Sequence, residues 1–254
     1  MTLTQIILLF AAGLAGGTVN AIAGGATFFT FPAMLAAGLP PVVANASNTV
    51  ALWPASLTAA LAERHELWLN RDMAKTFLVI AMVGGLVGAL LLLVTSNEAF
   101  RILVPFLLLL ATVVSAGSGR LLRWLRARSP APAKPRLNHP AILATIGFCA
   151  IYGGYFGAGI GIMMMAGLTL AGIEQLHLAN ALKNLLAAAI NGVAVVVFVV
   201  SGIVDWPATL VMLAGALCGG FFGARVARRI PAQALRMVVI TIGSLLTTWY
   251  FWRL

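Results

Sequence analysis

The chain alternates long apolar stretches with short polar or basic ones, and the apolar stretches have the lengths that a lipid bilayer selects. Ten stand out: residues 3–22, 26–39, 42–62, 73–95 and 99–117, then 141–158, 160–173, 176–202, 206–226 and 232–252. About 20 apolar residues in a helix cross a bilayer core, so most of these stretches predict membrane spans. The second stretch of each set is short and follows a glycine-rich break. The first run, Leu3 to Ala23, has no basic segment before it and no small-residue cleavage site leading into a soluble domain, so it reads as a retained span.

Residues 20–48, NAIAGGATFFTFPAMLAAGLPPVVANASN, depart most from an ordinary span. Paired glycines, two consecutive prolines and three asparagines predict broken backbone at membrane depth. Such backbone persists only where protein or a water-filled cavity satisfies its N–H and C=O groups. A related stretch recurs later. A shift of 135 residues places Ala44-Asn45-Ala46 on Ala179-Asn180-Ala181, and Gly84-Gly85-x-x-Gly88-Ala89 on Gly219-Gly220-x-x-Gly223-Ala224. The same shift places Ala99-x-Arg101 on Ala234-x-Arg236 and Gly24 on Gly159. One offset serves separate places, which marks an internal duplication. The expected organisation is a first transmembrane repeat (1–117), a basic, proline-rich cytoplasmic linker (118–139) and a second repeat (140–254). The fold class is therefore all-α polytopic membrane protein, two homologous inverted repeats of about five hydrophobic segments each, with glycine-broken or re-entrant helices.

Charge adds the orientation. The formal net charge is +10, but the arginines collect in loops between apolar runs, which is the positive-inside bias and not a nucleic-acid surface. Residues 63–75 carry Arg64, Arg71 and Lys75, while the matching 198–210 carry no Lys or Arg. Residues 96–101 carry only Arg101, whereas 225–236 carry Arg225, Arg228, Arg229 and Arg236. The basic side swaps between copies, as an odd number of segments per repeat requires. This predicts a multi-pass protein with linker and basic loops cytoplasmic and both termini on the other side.

Chemistry is sparse. Six acidic residues and three histidines, mostly at span edges, provide no HExxH motif and no paired intramembrane carboxylates, so no enzyme, metal or cofactor is expected. Cys149 and Cys218 lie inside apolar runs and read as small core residues. The GGxxGA pairs read as close helix packing in lipid.

Inverted-repeat transporters bind substrate near the midplane, where broken helices expose N-termini suited to anions. The candidate substrate-binding residues are Asn20, Gly24, Gly25, Thr27, Asn45 and Asn48 in the first repeat. In the second they are Tyr155, Gly157, Gly159, Gly161, Asn180, Lys183 and Asn184. Asn45 and Asn48 share a helix face, as do Asn180, Lys183 and Asn184. Asparagines in membrane helices also serve as interhelical hydrogen bonds. Lys183 lies about two turns into a span, where an ammonium is costly and marks function by default. Against that stands a lysine that snorkels to the interface or pairs with Glu174.

Several of these motifs resemble a known family, the sulfite exporter TauE/SafE family of membrane permeases. Asn20-Ala-Ile-Ala-Gly-Gly-Ala with Pro32 downstream is similar to its first-repeat signature, and Tyr155-Phe-Gly-Ala-Gly-Ile-Gly to its second. Ala179-Asn-Ala-Leu-Lys-Asn with Asn191-Gly192 and Asp205-Trp206 is similar to a common branch. The chain departs at Ala26, where the family often has a third glycine, and near Gly167, where it often has a proline. The resemblance implies a secondary transporter that exports a small anion, sulfite or a related organosulfonate, by alternating access. An intramembrane enzyme and an anion channel are the alternatives. The expected partners are the small anion and the bilayer, with anionic lipids as candidates; a homodimer is left open.

Overall fold

The structure is a computed structural model and describes residues 1–22, 25–128, 139–173, 175–226 and 232–252. Eleven helices follow one another: α1 (Leu3–Ile22), α2 (Thr27–Ala36), α3 (Pro41–Ala62), α4 (Arg64–Leu69), α5 (Arg71–Val94), α6 (Asn97–Arg128), α7 (Pro140–Tyr155), α8 (Ile160–Leu170), α9 (Leu176–Val200), α10 (Trp206–Val226) and α11 (Ala232–Trp252). No strand occurs among the described residues. Four helices are long and apolar enough to cross a membrane, within Leu3–Asn20, Arg71–Val94, Asn97–Gly117 and Leu176–Val200, and several others are shorter and apolar. This is an all-α polytopic membrane protein.

The helices start in register with the sequence offset. Pro41 of α3 and Leu176 of α9, Arg71 of α5 and Trp206 of α10, and Asn97 of α6 and Ala232 of α11 are each separated by the same 135 residues that the Trp53–Ala188 bond spans. Packing obeys the same exchange. The first helix α1 lies mainly against α10, and its counterpart α7 lies against α5, while α3 pairs with α9 and α6 with α11. Each half thus builds its walls from the other.

Small residues make the cross-half seams. A Cβ on Gly17 would fall on the Ala216 carbonyl, one on Gly219 on the Leu14 carbonyl, and one on Gly88 on the Ile151 carbonyl. Lipid tails give helices no hydrophobic reason to associate, so backbone approach of this kind supplies the contact. The sequence reading of these glycines as packing residues agrees with the structure.

Each short helix is set by its break. Gly25 has φ +99° just before α2, and Gly157 and Gly159 have φ +81° and +73° just before α8. Only glycine takes these values without strain. The side chain of Gln5 donates to the Ala37 carbonyl at 2.7 Å, so α2 returns to the level at which α1 begins. Together α1 and α2 form a hairpin that enters and leaves on one side.

Two features differ from the segment map. Residues 63–75, read as a loop, contain α4, a six-residue helix. The fifth segment does not stop at 117, because α6 continues to Arg128, into the stretch assigned to the linker. RLLRWLRAR consists largely of good helix formers, and the sequence that follows, Ser129-Pro130, disfavours a further turn. The remainder of the linker, 129–138, lies outside the described residues.

Candidate functional site

Helices α3 and α9 cross at the centre and carry the polar side chains. Three hydrogen bonds tie α3 and the residue at its end to α9 and the loop that follows it. Ser47 accepts from the Asp205 N–H at 2.9 Å, the Trp53 indole donates to the Ala188 carbonyl at 3.0 Å, and Asn184 donates to the Glu63 carboxylate at 2.9 Å. One partner number rises as the other falls, so the helices are antiparallel. Trp53 and Ala188 hold the same position in the two copies. Their bond therefore marks the axis that relates the halves.

The first cluster lies on one side of that axis. Asn45 and Asn48 are each 1% exposed. Asn45 donates to the Tyr155 carbonyl at 2.8 Å, at the end of α7, and its own carbonyl accepts from Thr49. Among the described residues, the amide oxygens of both Asn45 and Asn48 have no hydrogen-bond partner. Orphaned buried acceptors are unusual, because each forgoes the water it left behind. The Tyr155 hydroxyl reaches Thr95 at 3.3 Å, which ties this cluster to the end of α5.

The second cluster lies on the other side. Asn180, Lys183 and Asn184 are half-buried on α9. Lys183 is seven residues in from Leu176, or about 10 Å along the helix. Its stem passes the start of α8, where a Cβ on Gly161 would lie 3.6 Å from Lys183 Cδ. Of the first-turn N–H groups of α8, that of Ile160 donates to the Gly157 carbonyl and those of Ile162 and Met163 to the Gly159 carbonyl, and the partial positive charge of the helix end remains. Glu63 is close enough for its charge to act on Lys183. The ammonium has no hydrogen-bond or ion-pair partner among the described residues. A cation beside a helix N-terminus, with two amides on the same face, is suited chemically to a small oxyanion.

The structure thus brings together some of the expected residues and separates others. Lys183, Asn184 and Gly161 are neighbours, as are Asn45 and Tyr155. From Trp53 to Asn48 and from Ala188 to Lys183 are five residues each, in opposite directions, so the two sets lie about 15 Å apart along the bundle. Asn20 is half-buried at the end of α1, Thr27 is buried in the first turn of α2, and Gly25 faces Val239 and Phe28. Gly24 lies outside the described residues, and so does Glu174, the carboxylate expected beside Lys183. Aromatic rings join the halves nearer the breaks. Phe31 of α2 meets Phe156 edge-on at 5.4 Å between centroids, and Phe100 and Tyr152 close around Phe156.

Sequence reasoning missed Glu63 and Trp53. From sequence, Glu63 is only one of the acidic residues at span edges, and Trp53 has no role assigned. No local signal announces either, since both act across the α3–α9 crossing.

The match to known proteins covers almost the whole chain: the family model described as "Sulfite exporter TauE/SafE" aligns with residues 9–250. The chain belongs to the sulfite exporter TauE/SafE family. The relatives of this TauE/SafE protein include a "Probable membrane transporter protein" of Haemophilus influenzae, 27% identical over 95% of this chain and 92% of the relative. "Probable membrane transporter protein YfcA" of Escherichia coli K12 is 27% identical over 95% of this chain and 87% of its own. "Probable membrane transporter protein ORF9" of a Sinorhizobium species is 28% identical over 94% and 89%. No solved structure gives a significant match to this family member. A TauE/SafE chain with such relatives is a membrane transporter.

Proposed function

We propose that this chain exports a small anion, sulfite or a related organosulfonate, by alternating exposure of a site between its two repeats, from a bacterial inner membrane with both termini non-cytoplasmic. The observation that carries the reading is Lys183, an ammonium on a membrane helix beside the first turn of α8, with no hydrogen-bond partner among the described residues and the Glu63 carboxylate near enough to act on it. Such a charge is retained at membrane depth only for a use, and an anion is its natural complement. Asn180 and Asn184 supply amide donors on the same face. The family description favours sulfite among anions of this size.

Export needs no coupling ion. An inside-negative potential is worth roughly 2.3 kcal/mol per charge per 100 mV, enough to hold a gradient of about fiftyfold for a monovalent anion. Domain organisation follows the same reading, with residues 1–117 and 140–254 as repeats that rock about the α3–α9 crossing.

The test is sulfite flux in proteoliposomes under an imposed potential. Wild type should give saturable, voltage-driven flux with counterflow, and Lys183→Ala should lose at least about tenfold, the loss expected for one charge-assisted contact. Flux that ignores the substitution in correctly inserted protein would return Lys183 to a structural role. Absence of sulfite flux in the wild type, with sulfonates also unable to compete, would remove the substrate assignment.

A further inference from the structure

A pocket of about 450 Å³ lies between α3, α4, α5 and α9, at the end of the bundle that carries the basic 63–75 segment. Its walls are almost wholly apolar, with Leu57, Trp68 and Leu185 among them, and its rim is set with Arg64, Arg71 and Lys75. Trp68 is 68% exposed on α4, the position of an aromatic ring that rests at a membrane interface. The three cations are exposed, and among the described residues none is held in an ion pair. Glu66 and Asp72 belong to the same stretch but do not line the pocket.

This pocket is not the mouth of the Lys183 site. Neither Lys183 nor Asn180, Asn184 or Glu63 lines it, and a water-filled vestibule would not be walled with leucine. The pocket's cationic rim has no counterpart in the other half. The offset that relates the halves carries Arg64, Arg71 and Lys75 to Val199, Trp206 and Leu210, which bear no charge, and α4 has no counterpart between α9 and α10. An apolar slot rimmed by cations on one side only matches one molecule available in a bilayer, a phospholipid with a net negative headgroup.

We propose that this pocket holds an anionic phospholipid, with its acyl chain against Leu57 and Leu185 and its phosphate among Arg64, Arg71 and Lys75. The long stems of the cations lie along the apolar wall while their charged ends reach the headgroup level. Each cation near an anionic surface contributes a factor of about five in affinity, and the slot supplies the chain contact that a soluble anion lacks.

The site is tested by native mass spectrometry of the full chain released from a neutral detergent. The lipids added are dioleoylphosphatidylglycerol and dioleoylphosphatidylcholine, with inorganic phosphate as soluble competitor. Retention of the glycerol lipid should exceed that of the choline lipid at least about tenfold, and phosphate should not displace it. Arg71→Gln should lower retention about fivefold, and Arg64→Gln, Arg71→Gln and Lys75→Gln together should erase the preference. Leu185→Trp, which fills the slot and leaves every charge, should lower retention of both lipids. Equal binding of the two lipids by the wild type, displacement by phosphate, or a preference that survives the triple substitution would each overturn the proposal. So would Leu185→Trp protein that retains lipid as wild type does. No transport is measured, so failure here leaves the anion-export reading standing, and the reverse also holds.

Discussion

Asn45, Asn48 and Thr49 on α3 occupy the same duplicated positions as Asn180, Lys183 and Asn184 on α9, yet only the second cluster carries a charge. The first is sealed: both of its asparagines are 1% exposed, and its contacts are the Tyr155 carbonyl and the neighbouring backbone. The second is half-buried and has the start of α8 and a carboxylate close by. Positions 45 and 180 both carry an amide, while positions 48 and 183 differ in charge and in burial. An ion is tolerated where solvent or a ligand can reach it and is replaced by an amide where they cannot.

The comparison breaks most severely if the sealed side is given the charge of the open one. Asn48→Lys should destabilise the protein by about 3 kcal/mol, seen as a lower thermal midpoint and poor recovery of monodisperse protein. A variant as stable as wild type would mean that the α3 cluster is open after all. The reverse exchange, Lys183→Asn, should preserve folding and cut anion flux at least about tenfold. Glu63→Gln keeps an acceptor for Asn184 while removing the negative charge near Lys183. Anion KM should fall about twofold to fivefold, the range of a partly exposed ion-pair interaction, and an unchanged or higher KM would show that Glu63 does not compete with the substrate. The smallest effect belongs to Asn45→Ala. Loss of its bond to the Tyr155 carbonyl should cost about 0.6 kcal/mol, read from thermal unfolding in detergent.

Much of the architecture was legible because lipid imposes simple rules on sequence. Apolar length marked the helices. Gly25 and Gly157-x-Gly159 marked the breaks, which only residues free to adopt positive φ can form. The offset that aligned Asn45 with Asn180 also aligned the starts of α3 and α9. What escaped was short or depended on distant pairing. The RHELWL segment of α4 is too brief and too charged to stand out from a loop. Glu63 meets Asn184 only because α3 and α9 run antiparallel, a relation no local pattern encodes. Asn45 was legible as a polar residue at depth, but its partner, a main-chain carbonyl, has no signature in sequence.

The indole of Trp53 against Ala188 carries a consequence for ancestry. A dimer of two identical half-length chains would place the same residue at both positions: two indoles would collide on the axis, and two alanines would leave it hollow. A bulky ring facing its own small counterpart is open only to a chain whose halves can mutate separately. The centre of the molecule is therefore unlike in side chains where the helix starts are in register, and splitting the gene in two would give two different half-chains.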